Sequence, residues 1–494
     1  MPDVKTITTM CKSGQVAEAY ELAQNDCASN PNSAWSQRGL GWAIYYMIKR
    51  DVESGDYNKL IEHLEELKNL NLLTVADDGM IYDKVQWQVA SFLKNSVANN
   101  AVEASLKLST LFQKLREYSF GPSSGHSALL REYIKFDAWE EMVDFFDWWD
   151  LNTLQEEDYN SFRMQNGTSI MSLAEQAFIA NSKALLRQND SERIQKFLPK
   201  LDDLTTNHPE MTYPGYYYGK LLLKLGSNSD DVLKPIIPFA RKKSSEYWVW
   251  QLLSEVFSQD AEKRMACLLR AVHCRTQEQF LVNVRRILAS AYIQTNQLDR
   301  AKYHIDILQR CYATQGWRLP YEVNCWIRQP WFNTVKPSET SSVDFWTITN
   351  QILCEGTAEA IALVTYIDPN NQRATIVYGL RKRMAYKFRF KVGVGSILKI
   401  NYTQEADERI NIVNAVKTNL PNDLEHIKVV DGIVNKQDRN DFAFMKSSVG
   451  TCFISANMVQ RYNVVNNERI KALVVLDYNR KKDNWNWVCI SIKR

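Results

Sequence analysis

The sequence is poor in the residues from which small catalytic and metal sites are built. Six histidines are spread over 494 residues, and no two stand at the spacing with which one helix face holds a metal. Nine cysteines, an odd number, are scattered without a single C-x-x-C pair. That argues against a zinc site and reads as reduced thiols. Glycine is scarce at 18 residues, and no phosphate loop is among them: Gly393-Val394-Gly395 lacks the third glycine and the helix that would follow it. There is no G-x-S-x-G elbow and no H-E-x-x-H. Carboxylate pairs such as Asp202-Asp203, Asp230-Asp231 and Glu140-Glu141 are adjacent in sequence, so on a helix they diverge. No apolar run approaches the length of a membrane helix, and MPDVKTITTM lacks the basic-then-apolar pattern of an export signal. Together these absences predict a cytoplasmic protein that is not an enzyme and carries no metal or cofactor.

What is present is ordinary globular composition, 45% hydrophobic and 24% charged, with a high count of 14 Trp and 23 Tyr. The length predicts about two to four domains. The net charge of +3 is unevenly placed. From Ser341 onward there are 22 Lys and Arg against 15 Asp and Glu, so the preceding part is slightly acidic. A basic tail on an acidic body points to a polyanionic partner for the tail.

Residues 1–312 read as helix after helix. Gly219, Ser254 and Ala289 are each 35 apart, as are Leu222, Phe257 and Tyr292, and Ala266 and Ala301 repeat the spacing. In NVRRILASAYIQTNQLDRAKYHIDILQRC, the residues Ala289, Tyr292, Asn296 and Ala301 set small side chains at tight helix crossings and aromatic ones at wide crossings. This resembles the tetratricopeptide repeat in a degraded form, and the resemblance implies a solenoid that grips protein partners. Asp77–Asn189 is helical but off period, with loops at 120–127 and 166–169. Within it, residues 136–150 (FDAWEEMVDFFDWWD) mix six acids with six large aromatics. Trp139, Phe145, Trp148 and Trp149 are candidate anchors for a basic protein partner; packing of the rings inside the solenoid is the other reading of the same helix.

Residues 313–343 change texture, with three prolines and with Trp317, Trp326 and Trp331, and predict a cap on the array followed by a linker. Residues 344–420 read as a first small barrel. ALVTYIDPNNQRATIVYG is a hairpin, and alternation in AYKFRFK puts Tyr386, Phe388 and Phe390 on one face. Arg381, Arg383, Lys387 and Arg389 belong to the densest basic run in the chain and are candidate phosphate contacts.

Residues 427–494 supply five further β-rich runs, 429–435, 441–446, 451–454, 469–478 and 485–492, with a longer third connection. That describes a Greek-key barrel of the OB type. Phe442 and Phe444 are two apart and share a strand face. Lys446, Lys481 and Lys482 supply charge, and Trp485 a further ring. Rings within a basic surround suit single-stranded nucleic acid, whose bases stack while its phosphates pair with cations. Gly432-Ile433-Val434, Asp441-Phe442-Ala443-Phe444 and Cys452-Phe453-Ile454-Ser455 resemble the cold-shock domain, with Ser455 where a His is usual. The resemblance implies that Phe442, Phe444 and Phe453 are stacking residues; barrel core is the alternative place for them.

The expected architecture is therefore α+β and multidomain: an N-terminal α-solenoid of tetratricopeptide-like helix pairs, then two small five-stranded OB/cold-shock-like barrels. The order of parts resembles accessory proteins of bacterial conflict and anti-phage systems. The expected function is a non-enzymatic scaffold that binds protein through its repeats and single-stranded RNA or DNA through its barrels. The rivals are a pure protein adaptor and an accessory subunit of a nucleic-acid-processing enzyme. The sequence leaves open RNA versus DNA, the partners and the oligomeric state.

Overall fold

A computed structural model describes residues 3–70, 72, 76–96, 101–370, 372–380, 382–388, 390–404, 410–421, 424–479 and 483–493. It divides into two compact units, Met1–Lys243 and Ser244–Arg494, so the division falls inside the helical region. No helix among the described residues is long and apolar enough to cross a membrane.

The first unit is almost wholly helical. Its helices form for local reasons that are easy to follow in Ser191–Asn207. The Asp190 carboxylate caps the start by accepting from the Glu192 and Arg193 amides, both at 3.1 Å. Ile194, Phe197, Leu201 and Leu204 then recur at helical spacing and are buried. Between the helices Met142–Trp149 and Leu173–Gln188 the chain makes two 3-10 turns and a small hairpin, β1 (Phe162–Arg163) with β2 (Ser169–Ile170). The last helix pair, Pro214–Lys224 with Ser229–Lys242, crosses tightly at Gly219, where a Cβ would lie 2.2 Å from Ile236 Cγ1. That contact is the physical reason for a residue without a side chain at this position.

The aromatic-acidic segment takes a different form from the docking helix expected of it. The helix proper begins only at Met142, and Trp139, Phe145 and Trp149 are core residues. Phe145 stacks on Tyr133 at 4.3 Å, Trp149 stacks on His126 at 4.4 Å, and Trp139 Nε1 donates to Ser109 Oγ at 3.1 Å. Trp148 is half-buried against Phe112 and Phe120. Rings committed to such packing are not anchors for a partner, so that assignment is corrected.

The second unit opens with two helix hairpins, Tyr247–Val256 with Ala261–Val272 and Glu278–Gln294 with Leu298–Gln315. Ser254, Ala266, Ala289 and Ala301, the small residues of the 35-residue period, are all buried there. Short helices at Tyr321–Ile327 and Pro330–Thr334 follow, with Trp326 and Trp331 packed on a core of Ala289, Ile305, Leu308, Val323 and Phe332. Trp317 meets Tyr312 edge-on at 5.7 Å but stays exposed. A helix at Phe345–Cys354 then returns to the hairpins, with Trp346 under the Arg270 guanidinium at 3.6 Å.

Two five-stranded sheets complete the unit. The first holds β3 (Ala358–Ile367), β4 (Ala374–Gly379), β5 (Lys382–Tyr386), β6 (Ile397–Gln404) and β7 (Ile410–Lys417), in the order β5-β4-β3-β6-β7. The second holds β8 (Ile427–Asn435), β9 (Ala443–Ser447), β10 (Gly450–Ile454), β11 (Arg469–Asn479) and β12 (Asn484–Lys493) and closes into a barrel, β10-β12-β11-β8-β9. The connectivity is the same in both: the first strand pairs with the second and the fourth, the second with the third, and the fourth with the fifth. Only in the second sheet do the third and fifth strands meet, through a parallel pairing of Cys452 with Trp487 and Phe453 with Val488. Of the two barrels expected, one is closed; the other is an open sheet among the described residues. AYKFRFK is also corrected, because the strand lies upstream and ends at Tyr386. Tyr386 at its end and Phe388 beyond it pack against the sheet's core.

Candidate nucleic-acid interface

The barrel sorts its side chains by strand parity. On β8, Val430, Gly432 and Val434 face inward while Val429, Asp431, Ile433 and Asn435 face outward. On β9, Ala443 and Met445 are inside and Phe444 and Lys446 outside. The barrel is drawn tight at Gly432, where a Cβ would come within 2.5 Å of both the Lys446 carbonyl oxygen and Met445 Cγ. A helix at Ala456–Tyr462 fills the long connection and adds Val459 to the core.

This sorting brings three rings together outside the core. Phe444 lies across from Phe453 in the β9–β10 ladder, and Phe442 precedes β9 by one residue. Their centroids form a near-equilateral triangle with sides of 5.6, 5.8 and 5.8 Å. None of the three belongs to the barrel's core cluster, and Phe444 is 41% exposed. Large rings left at a surface where the interior is already filled by Ala443, Met445, Cys452 and Ile454 are not explained by packing alone.

Lys446 is exposed on the same face of β9, two residues from Phe444, and pairs across the strands with Thr451 on one side and Ile433 on the other. Ile433, 55% exposed, and Asn435, opposite Phe444, extend the surface onto β8. Neither was singled out from sequence, although the alternation of β8 carries the signal. The β8–β9 connection adds Lys436 and Arg439 but also Asp438 and Asp441, so the rings are bordered by charges of both signs. Lys436 N donates to Asn466 Oδ1 at 2.9 Å, which ties this connection to the loop before β11.

The other sequence candidates lie elsewhere. Trp485 stands against Tyr478 at 5.4 Å and shares strand parity with Trp487, which packs on the barrel core. It belongs to the β11–β12 tip, not to the phenylalanine triangle. Arg383 makes a 2.5 Å ion pair with Asp477 of β11, and Lys387 is exposed beyond β5. Lys481, Lys482, Arg381 and Arg389 fall outside the described residues. The face of the first sheet carrying Leu363 and Val377 is covered, since these residues are buried together with Ile427, Leu473 and Val475 of the barrel. It is therefore committed to holding the two sheets together.

Two family models match parts of the chain. Residues 212–348 match a domain of unknown function (DUF7017), a span running from the helix pair at Pro214 into the helix at Phe345. Comparison with curated proteins gives no match. Residues 428–492, which cover the five barrel strands to within one residue at either end, match the S1/CSD-like domain 2 of the TOTE conflict systems, so in its barrel the chain is similar to the S1/cold-shock-like domains of those systems.

Proposed function

We propose that the protein is a non-enzymatic nucleic-acid-binding component of a conflict, or defence, system. Its closed barrel holds single-stranded RNA or DNA, with unpaired bases against Phe442, Phe444 and Phe453 and a phosphate at Lys446. The observation that carries this reading is the triangle of rings held outside a filled core with a lysine on the same strand face. Stacking on rings accepts any base, so binding is tolerant of sequence and requires single strands. The helical hairpins act as a tetratricopeptide-like scaffold toward protein partners. The first sheet is structural in this reading, because its Leu363–Val377 face is covered by the barrel. Fluorescence anisotropy with short labelled single-stranded RNA and DNA, against a duplex of the same length, tests the reading. Salt-sensitive binding of single strands that is lost in a Phe444→Ala/Phe453→Ala double variant supports it. No binding at low salt, or unchanged binding in that variant, turns the barrel into a protein-binding module.

A further inference from the structure

The outward side chains of the barrel fall into two rows that run across its strands. One row is Asn435 on β8, Phe444 on β9 and Phe453 on β10, each the register partner of the next. The other lies two residues along: Arg469 on β11, Ile433 on β8, Lys446 on β9 and Thr451 on β10, again partner to partner. All four of its side chains are exposed, because they alternate with the buried Ile470, Gly432, Met445 and Cys452. At about 4.8 Å per strand the second row is roughly 14 Å long, and it lies about 7 Å from the rings. The parts of β8 and β11 that are buried with the first sheet are Ile427, Leu473 and Val475, toward the other end of each strand, so the row stays open among the described residues.

Arg469 and Lys446 are the two cations of this row. Among the described residues neither side chain has an ion-pair or hydrogen-bond partner. Arg383, by contrast, is paired with Asp477, and Lys471 stands in register with Asp431. Between the two cations Ile433 is left 55% exposed. No barrel strand offers such a track along its own length beside the rings. The outward residues of β8 are Val429, Asp431, Ile433 and Asn435, those of β9 Phe444 and Lys446, and those of β10 Thr451 and Phe453. Phosphates laid along β8 meet a carboxylate and no cation. On β11 the two outward cations, Arg469 and Lys471, lie two strands away from Phe444, and Asp431 faces the second of them. Only a path across the strands passes two unpaired cations and the rings together.

We propose that the backbone of a bound single strand crosses the barrel along this row, from β11 to β10. One phosphate sits at Arg469 and another at Lys446, the sugar between them lies on Ile433, and the Thr451 hydroxyl ends the track. The bases turn from it toward Phe442, Phe444 and Phe453. The inference rests on the reading of these rings as a stacking surface. It goes beyond that reading in giving the strand a direction over the barrel and Arg469 a role in holding it. The ligand class is an oligonucleotide with phosphates at both cations, because a mononucleotide on the rings reaches only one.

Anisotropy titrations of the full chain with a labelled single-stranded oligonucleotide of about ten nucleotides, repeated over a range of salt concentrations, test the path. Arg469→Gln is expected to reduce the slope of log affinity against log salt by about 0.7, and Arg469→Gln with Lys446→Gln by about 1.4, the values for one and two phosphate contacts on a single strand. Arg469→Lys, which keeps the charge, retains the parental slope. Lys471→Gln, on the same face of β11 but opposite Asp431, retains it too. A parental slope in Arg469→Gln, with binding still lost in Phe444→Ala/Phe453→Ala, overturns the crossing path and leaves the ring surface standing. An equal reduction in Lys471→Gln means that positive charge acts diffusely, and also overturns it. No binding by the parent chain removes the ring reading itself, and the path with it.

Discussion

Phe444 and Phe453 face each other across the β9–β10 ladder with ring centroids 5.8 Å apart and planes at 59°. Neither ring is needed to fill the barrel, whose interior at this level is Ala443, Met445, Cys452 and Ile454. A binding role proposed for the pair can therefore be tested apart from folding. Replacing either ring with alanine is expected to lower affinity for a single-stranded oligonucleotide by about 1–3 kcal/mol, roughly 5- to 150-fold. The midpoint of thermal unfolding should move little. Anisotropy titrations and a melting curve on the same sample check both halves.

Charge at this surface can be assigned by its salt dependence. Lys446 is exposed beside the rings, whereas Arg383 is paired with Asp477. Lys446→Gln should reduce the slope of log affinity against log salt by about 0.7, the value for one phosphate contact on a single strand. Arg383→Gln should leave that slope unchanged. Both partners of its ion pair are partly exposed, so the lost bridge should cost at most about 1 kcal/mol of stability. A reduced slope for Arg383→Gln would return the first sheet to the interface.

These assignments also show where local sequence is informative. All five barrel strands were readable to within about two residues, because period-two alternation and turn residues are properties of the strand itself. The shared face of Phe442 and Phe444 was readable for the same reason, whereas Phe453 was implied only by the resemblance to the cold-shock domain. AYKFRFK misled because aromatic-basic alternation continues past Tyr386, where the ladder has stopped. The aromatic-acidic segment misled because its partners are distant in sequence. Asp144 and Asp150 meet Arg193 and Lys200, about fifty residues on, and nothing in residues 136–150 announces those cations. The open edge of the first sheet was equally invisible, since closure depends on whether a third and a fifth strand meet.

Gly432 offers a test of the barrel itself. A Cβ there would press on the backbone of Lys446 and on Met445, and a backbone oxygen cannot turn aside as a side-chain tip can. Gly432→Ala should destabilise the barrel by about 1–3 kcal/mol, the usual cost of overpacking. It should therefore weaken nucleic-acid binding only as far as it unfolds the domain. Urea denaturation followed by tryptophan fluorescence, with binding measured well below the transition, distinguishes this loss from that of Phe444→Ala. A Gly432→Ala chain of parental stability would mean that β8 and β9 are not drawn together as described.

The first unit should lose stability as acid is added, because of one histidine. His126 is buried against Trp149 with its Nδ1 2.8 Å from Gln86 Oε1, and burial lowers its pKa from 6.5 to about 4. Between those values the unfolded chain binds the proton and the folded chain does not, so the unfolded state carries more protons and stability falls as pH falls. The contribution is fully present above about pH 6.5 and is lost progressively toward pH 4, amounting to ~3 kcal/mol at 1.36 kcal/mol per unit. His304 in the second unit, lowered to about 3 by burial and then by Arg285, adds a loss of the same sign there. Urea midpoints measured from pH 7.5 to pH 4.5 should therefore decline for the parent chain. His126→Gln, although less stable at neutral pH, should flatten the part of that decline that belongs to the first unit. An undiminished slope in this variant would place the acid sensitivity in other groups.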